Sequence, residues 1–430
     1  MVDVEIMQAD APPQTARLLA WLLQYSSLLI SGLLFGYIAL LPFTPLRLIE
    51  RNSFIVLLGA LALWCLFNRK LFYVPTPFDL RLLAFLLWIG LTLPFAVSPQ
   101  YSVQEYGKLL QQVMVFYAVA YFLKENQLQR ILFCLIGGVA IVVAGYGVTQ
   151  FNVTNGQAVK SFFTSEVWLT TFLVMVFPFA LAVAFGNGPR EVKGMAAIAC
   201  GLFFACLLGT QSRAGLVSFL AELWVMAWLL RSSKVRIVAG GITLFLILAV
   251  LIAFKVDFSK DSDPLRGARE SLPIQTRVIS IFHRFDIWAF TLTEIVQHGI
   301  VGIGYGSHSY LLTYGEDQES VSEGHQPVKR AGTHNIFLYF ALHVGLPGAI
   351  LFGWLYFTFI VRTIREYRQA AGWMQQAILA GSAGSLLGLL CRLQFDQMLI
   401  GTLAILFWVL LAMAVLQYPS VKTGQKSSLV

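Results

Sequence analysis

Long apolar runs, separated by short polar connections, recur along almost the whole chain and constrain its fold more than any other feature. A helix needs roughly 20 apolar residues to cross about 30 Å of hydrocarbon. Of the 430 residues, 57% are hydrophobic and only 12% are charged, whereas soluble domains are about 25% charged. We therefore expect an all-α polytopic membrane protein with about twelve transmembrane helices. The expected spans are residues 18–41, 53–67, 82–97, 109–123, 131–151, 162–186, 194–210, 215–230, 237–254, 335–360, 373–391 and 397–417.

Lysine and arginine are distributed unevenly between the connections. With the amino terminus in the cytoplasm, the cytoplasmic segments hold 16 of the 30 Lys and Arg residues, and the short segments on the other side hold 6. This is the asymmetry that the positive-inside rule requires, and it places both termini in the cytoplasm. The formal net charge of +8 is spread over many loops, so it does not indicate a nucleic-acid partner. The five cysteines lie in apolar runs without zinc-ligand spacing, so we expect no metal site.

One long polar connection divides the chain. Within it, the pattern over residues 285–298 predicts an amphipathic helix that starts just after Arg284 and ends at Gly299. Trp288, Leu292 and Ile295 would share the face against the bilayer surface. A thirteenth span is disfavoured there because its charged residues would be desolvated. The expected domains are residues 1–254 with transmembrane helices 1 to 9, residues 255–333 as a periplasmic loop with interfacial helices, and residues 334–430 with helices 10 to 12.

The histidines point to one region of the chain. All six fall between His283 and His343, and histidine is the side chain best suited to exchange protons near neutral pH. His334 lies at the outer end of an apolar run, within reach of water, so it is a candidate general base. A helix-capping or hydrogen-bonded interfacial histidine is the alternative. Gly345 and Gly348 are spaced to let another helix approach closely, which would fix the helix that carries His334.

Two arginines lie near the same expected surface. Arg213 sits in the polar turn 209–215, and Arg284 precedes the predicted amphipathic helix. Either arginine could extend to lipid headgroups, or could bind a phosphate through its planar fork of donors. Two arginines and one histidine at one outer surface would form a site for an anionic, lipid-linked substrate. The glycine-rich segment 302–307 is expected to be a tight turn that shapes a cavity, because its flanks do not resemble a nucleotide fold.

Other polar residues within or beside the spans have structural interpretations. Glu222, midway along an apolar run, is expected to make a structural hydrogen bond, since a lone carboxylate there would be costly. Arg392 and Asp396 are expected to pair with each other. His343 is interpreted as a packed core histidine.

Together these motifs resemble the lipopolysaccharide O-antigen ligases, a family within a superfamily of bacterial membrane glycan polymerases and ligases. The topology fits along the whole chain, but the motifs occupy only residues 209–348. Past its glycine pair the chain has Ala349 and Ile350, where family members often carry hydroxyl residues. The motifs are the turn Ser212-Arg213-Ala214-Gly215, the segment from Arg284 to Trp288, the turn from Gly302 to Gly306, and His334-Asn335 with Gly345 and Gly348.

The resemblance implies a C-type glycosyltransferase architecture in the bacterial inner membrane with a periplasmic active site. The reaction would transfer O-antigen polysaccharide from undecaprenyl pyrophosphate to a terminal sugar of the lipid A core oligosaccharide. His334 would be the general base, and Arg213 and Arg284 would bind the pyrophosphate. The transfer would invert the anomeric carbon without metal or cofactor, and the partners would be the two substrates and membrane lipids. Further substrate-binding residues would be Gln211, Trp288, Tyr305 and Asn335.

Two alternatives remain open at the level of sequence. An O-antigen polymerase or a protein O-oligosaccharyltransferase of the same superfamily would share this topology, so fold alone does not separate them. A transporter of lipid-linked glycan is of a different class, and such proteins usually show repeated halves and charges near the bilayer midplane. The candidate charges of this chain gather instead at one expected interface.

Overall fold

The computed structural model describes residues 14–153, 157–260, 273–315, 332–397 and 399–419, and this part of the chain is helical without any strand. The all-α fold class is therefore confirmed. The helices are α1 (Gln14–Leu40), α2 (Arg47–Asn68), α3 (Asp79–Thr92), α4 (Pro99–Phe122), α5 (Asn126–Val153), α6 (Glu166–Phe185), α7 (Arg190–Gly209), α8 (Arg213–Leu230), α9 (Ser233–Lys260), α10 (Pro273–His298), α11 (Ser309–Tyr314), α12 (Ile336–Gln369), α13 (Trp373–Arg392) and α14 (Gly401–Val415).

The expected twelve spans are not confirmed over the described residues. Each expected range falls on a helix, but only seven described helices are long and apolar enough to cross a membrane by length and composition. Helix α3 has 14 residues and α14 has 15, fewer than the roughly 20 that a hydrocarbon core requires. The seven are Thr44–Asn68, Asn126–Phe151, Glu166–Phe185, Arg190–Gly209, Arg213–Leu230, Ile336–Gln369 and Trp373–Arg392.

Helix α10 ends at His298, as predicted, but it begins twelve residues earlier than expected, at Pro273. Arg284 therefore lies within the helix and not before its start. Leu292 and Ile295 do not share one face as predicted, because Leu292 is exposed while Ile295 is buried. Ile287, Thr291 and Ile295 are spaced four residues apart and are all buried, and this side of α10 packs on α12. The proposed domain bounds stay predictions, since residues 261–272 and 316–331 of the long connection lie outside the described part.

Helix α13 lies at the centre of the bundle because its small residues let two neighbours approach closely. A Cβ atom on Gly381 would lie 2.5 Å from the ring of Phe179 on α6. A Cβ atom on Gly388 would lie 2.2 Å from Oε1 of Glu222 on α8. Close approach of this kind is how helices pack where no water drives association.

Two buried polar side chains test the structural interpretations made from sequence. His343 is fully buried, its Nδ1 lies 2.8 Å from the Tyr339 carbonyl oxygen, and its ring stacks on Tyr339, which confirms a packed core histidine. The hydrogen bond predicted for Glu222 is wrong. Neither carboxylate oxygen of Glu222 has a hydrogen-bond partner among the described residues, because Gly388 offers space but no donor.

Helix α12 is kinked at Val344 and Gly345, whose backbone angles are not helical. The kink releases carbonyl groups that a helix would otherwise use, and the glycine loop (residues 299–306) binds them. The amides of Ile303 and Gly304 donate to the carbonyls of residues 342 and 343, each at 2.9 Å, and Trp88 Nε1 donates to that of residue 344 at 2.8 Å. The glycine loop and α3 thereby satisfy backbone groups that would be costly to leave unpaired.

Gly345 makes room for a loop and not for a helix, so the prediction from the glycine spacing is wrong at this position. Its φ is +77°, and a Cβ atom there would lie 1.9 Å from the carbonyl oxygen of Ile300 in the glycine loop. Gly348 instead faces Val344 and Trp88 of α3. The first glycine is thus required for the kink, and the second for packing beside it.

Replacing Gly345 by alanine should destabilise the fold by about 3 kcal/mol, because an L residue is strained at this positive φ and its Cβ collides with Ile300. The change is measured as the thermal unfolding temperature of the purified protein in detergent. Gly353→Ala on the same helix is the matched control, since a Cβ there meets nothing closer than 3.7 Å. Equal unfolding temperatures for the two variants would contradict this account of the kink.

Candidate active site

The amino-terminal end of α12 is fastened to the turn between α13 and α14 (residues 393–397, the α13–α14 turn). Four successive residues of one segment pair in antiparallel order with residues of the other. Such dense pairing holds both segments in one arrangement. The contacts are Thr333 Oγ1 donating to Gln397 Oε1, His334 Nδ1 to Asp396 Oδ1 at 2.9 Å, Asn335 Nδ2 to Gln394 Oε1 at 2.9 Å, and Ile336 N to the Leu393 carbonyl at 2.9 Å.

Asn335 is the N-cap of α12 and positions the residue before it. Its Oδ1 accepts hydrogen bonds from the amides of Phe337 at 2.9 Å and Leu338 at 3.2 Å, which is the usual role of asparagine at a helix start. His334 has a φ of +48° and so lies outside the helical path. The described contacts of Asn335 are therefore structural, and its predicted substrate contact stays a prediction.

His334, Asp396 and Arg392 form a chain that runs from the surface into the protein. Asp396 Oδ1 lies 2.9 Å from His334 Nδ1, and Asp396 Oδ2 accepts from Arg392 Nη1 at 2.9 Å. The exposed fractions of the side chains fall from 31% for His334 to 16% for Asp396 and 1% for Arg392. The predicted Arg392–Asp396 pair is confirmed, but the sequence did not indicate that it also holds His334.

The charges of this three-residue series decide which ring nitrogen of His334 is free to accept a proton. Burial alone raises the pKa of Asp396, but the hydrogen bond from His334 and the charges of Arg392 and His334 outweigh burial, so the pKa of Asp396 is lowered. Asp396 is then an ionised carboxylate near neutral pH, which only accepts hydrogen bonds. The Nδ1–H of His334 donates to it, and Nε2 of a neutral imidazole keeps its lone pair.

Arg284 reaches the same turn from α10. Its guanidinium carbon lies 5.6 Å from the ring centroid of Phe395, the neighbour of Asp396. This is within the range of a cation–π contact. The structure therefore brings Arg284 beside the α13–α14 turn that also holds His334.

Arg213 begins α8 at the same end of the bundle. Helices α8 and α13 run antiparallel, since Glu222 lies against Gly388 and the side chains of Ser218 and Cys391 are hydrogen-bonded. Continuing this register brings Arg213 to the level of the α13–α14 turn. Gln211, two residues earlier, is exposed and has a φ of +55°. The catalytic and binding roles of both residues stay predictions.

The remaining predicted site residues lie in two places. Trp288, on α10, is half-buried, and its indole N–H is enclosed without a hydrogen-bond partner among the described residues. Tyr305, in the glycine loop, lines a cavity of about 550 Å³, in agreement with a glycine turn that shapes a cavity. His334 is not among the residues that line this cavity, but Gln397 lines it and accepts the hydrogen bond from Thr333.

The cavity lined by Tyr305 carries charges of both signs. Arg47, Arg51 and Lys108 contribute three cations against the carboxylates of Glu50 and Glu105. Lys108 pairs with Glu105 at 2.6 Å. Charged, amide and aromatic side chains together form a lining that suits polar molecules.

Sequence reasoning missed Gln394 and Gln397 of the α13–α14 turn, which hold the α12 terminus, and it did not connect Asp396 with His334. The sequence signal that could have found them is the cluster of polar residues between two apolar runs. The Arg392–Asp396 pair accounts for only part of that cluster. Among the described residues, no group of three or more His, Cys, Asp or Glu side chains is arranged to hold a metal ion.

The lowered pKa of Asp396 predicts a pH-dependent contribution to stability. The contribution is complete above the unfolded-state pKa of about 3.9 and is lost as pH falls through the lower folded-state value. Asp396→Asn should therefore have a lower unfolding temperature than the wild type at pH 5. The difference between the two unfolding temperatures should become smaller below about pH 4. Asp286→Asn, an exposed carboxylate on α10, is the control that should change little. A difference that persists unchanged at pH 3 would contradict this ionisation.

Comparison with known proteins supplies one match. No curated protein matches the chain, but residues 198–353 match the family model described as O-Antigen ligase. The matched range runs from α7 into α12 and includes Arg213, Arg284 and His334, but it ends before Arg392 and Asp396. The match over residues 198–353 confirms the resemblance that the sequence motifs indicated, and it supports a membrane protein of the O-antigen ligase type.

Proposed function

We propose that this protein is an O-antigen ligase of the bacterial inner membrane. It would transfer O-antigen polysaccharide from undecaprenyl pyrophosphate to a terminal sugar of the lipid A core oligosaccharide at the periplasmic face. The family match supports an enzyme of ligase or polymerase type. The observation that carries the proposal is the half-exposed imidazole of His334, bound at Nδ1 by a carboxylate that a buried arginine holds in place.

The first part of the mechanism is activation of the acceptor. Nε2 of His334 accepts the proton of an acceptor sugar hydroxyl as that oxygen forms a bond to the anomeric carbon of the donor. The imidazole becomes a cation in this step. Asp396 lies 2.9 Å from Nδ1, where its negative charge stabilises that cation and fixes the ring orientation.

The second part is departure of the lipid pyrophosphate. The bond between the anomeric carbon and the pyrophosphate oxygen breaks, and its electron pair stays on the pyrophosphate. Arg213 and Arg284 would bind this group and offset the charge that grows on it, through paired N–H donors. A single displacement inverts the anomeric carbon, and cleavage of the activated glycosyl–pyrophosphate linkage supplies the driving force without ATP, metal or cofactor.

The remaining predicted residues would bind the glycan or position the site. Trp288, half-buried on α10, would contact the glycan through its ring. Tyr305 would contact sugar residues that enter the cavity it lines, and Gln211 lies exposed beside Arg213. Asn335 would act by holding His334 at the start of α12. Arg392 is a positioning residue, since it acts through Asp396.

His334→Ala should lower the rate of transfer by about 10²- to 10⁴-fold, the usual contribution of a general base, without reducing the amount of protein in the membrane. The assay uses purified protein in vesicles with lipid-linked polysaccharide and lipid A core, and it measures the joined product. His298→Ala is the matched control, because this histidine ends α10 and pairs only weakly, at 3.9 Å, with Glu294.

Full activity of His334→Ala would remove the general-base role. The same assay also separates the related functions. Lengthening of the lipid-linked polymer without core acceptor would identify a polymerase, and movement of labelled lipid across the vesicle without any sugar transfer would identify a transporter. Product joined to lipid A core is the result expected of a ligase.

Arg213→Lys and Arg284→Lys should each reduce transfer by at least about tenfold, because lysine keeps the charge but loses the planar fork that binds two phosphate oxygens. The measurement is the rate at saturating acceptor over a range of donor concentrations. Arg190→Lys, at the far end of the bundle, is the control. Excess chelator should leave the wild-type rate unchanged, and lysine variants as active as the wild type would exclude paired phosphate binding.

A further inference from the structure

A second cavity, of about 900 Å³, opens at the end of the bundle opposite His334. We call it the basic cavity. It lies between the end of α8, the start of α9 and the junction of α12 with α13. Helix α8 has 18 residues between the two ends, about 27 Å at the helical rise, which is close to a hydrocarbon thickness of about 30 Å. The lining residues are Trp224, Ala227, Trp228, Leu229, Leu230, Arg231, Arg236, Tyr367, Arg368, Ala370 and Gln376.

The charge of the basic cavity is of one sign. Arg231, Arg236 and Arg368 line it, all three are exposed, and no described carboxylate is part of the lining. Glu366, two residues before Arg368, is buried and already paired with Arg362 at 2.7 Å. Three positive charges around a concave space, without an acidic partner among the described residues, favour an anionic ligand.

Two tryptophans show which kind of anion fits. Trp224 and Trp228 lie one turn apart on α8 with 48% and 55% of their surfaces exposed. The guanidinium carbon of Arg368 lies 5.5 Å from the ring centroid of Trp228. Tryptophan beside arginine at the end of an apolar helix is typical of the boundary between hydrocarbon and headgroups. A small soluble anion would not use these exposed apolar rings, whereas acyl chains would cover them.

We infer that the basic cavity binds an anionic phospholipid, with its headgroup phosphate among Arg231, Arg236 and Arg368 and its acyl chains along Trp224 and Trp228. The volume is within the roughly 300–1,000 Å³ of small-molecule sites. Basic pockets between membrane helices are a recurrent way of binding such headgroups. The inference concerns the end of the bundle away from the proposed glycan transfer, and it does not depend on that reaction.

The test is retention of lipid by the full chain. Protein from bilayers of mixed phosphatidylglycerol and phosphatidylethanolamine is examined by native mass spectrometry, and phosphatidylglycerol should be retained preferentially. Each of R231Q, R236Q and R368Q should weaken retention about fivefold, and the triple variant about a hundredfold. The matched control is R130Q/R190Q/R365Q, which removes three exposed arginines outside the cavity and should retain phosphatidylglycerol like the wild type.

Three results would overturn the inference. The first is equal retention of the two lipids by the wild type. The second is an equal loss of phosphatidylglycerol retention in the triple variant and in its control. The third is displacement of the lipid by millimolar inorganic phosphate, which would indicate a small-anion site. Trp224→Ala with Trp228→Ala keeps all three arginines and should still weaken lipid retention. If the triple variant is unstable, the three single variants provide the same comparison.

Discussion

The pairing of the α12 terminus with the α13–α14 turn is the interaction on which the arrangement of the site depends. It joins His334 to Asp396 and, through Asp396, to the buried guanidinium of Arg392. A buried arginine is tolerated only when it is paired and hydrogen-bonded, so Arg392 holds Asp396 in one position. That position selects the tautomer of His334 and leaves Nε2 as the basic atom. A structural ion pair and a catalytic side chain are thus parts of one network.

The kink in α12 is the second constraint, and it connects the two halves of the proposed chemistry. Carbonyl groups released at Val344 and its neighbours are bound by Trp88 and by the glycine loop that follows α10. Because α10 carries Arg284, the same backbone contacts that repair the broken helix also locate this arginine beside Phe395. Gly345 is required because only glycine allows the loop to approach the kink so closely.

Helices α8, α12 and α13 connect the two ends of the molecule. At one end they carry Arg213, the segment with His334 and the α13–α14 turn, where we propose glycan transfer. At the other end they form the basic cavity, where we infer an anionic phospholipid. A lipid bound there would contact the same helices that position the site, and small residues of α13 such as Gly388 keep those helices in close contact. The proposed lipid and the proposed glycan-transfer site would then contact the same group of helices.

The sequence by itself determined the helical class, the position of most helices, the start of α12 just after His334 and the Arg392–Asp396 pair. These features arise from local spacing, because apolar periodicity and contacts four residues apart are properties of a single helix. Tertiary structure decided that Asp396 binds His334, that Gly345 admits a loop and that Glu222 has no described hydrogen-bond partner. His334 and Asp396 are 62 residues apart, and nothing in the spacing of either segment encodes their contact. Such contacts depend on how separate helices pack, which the pattern along one helix does not specify.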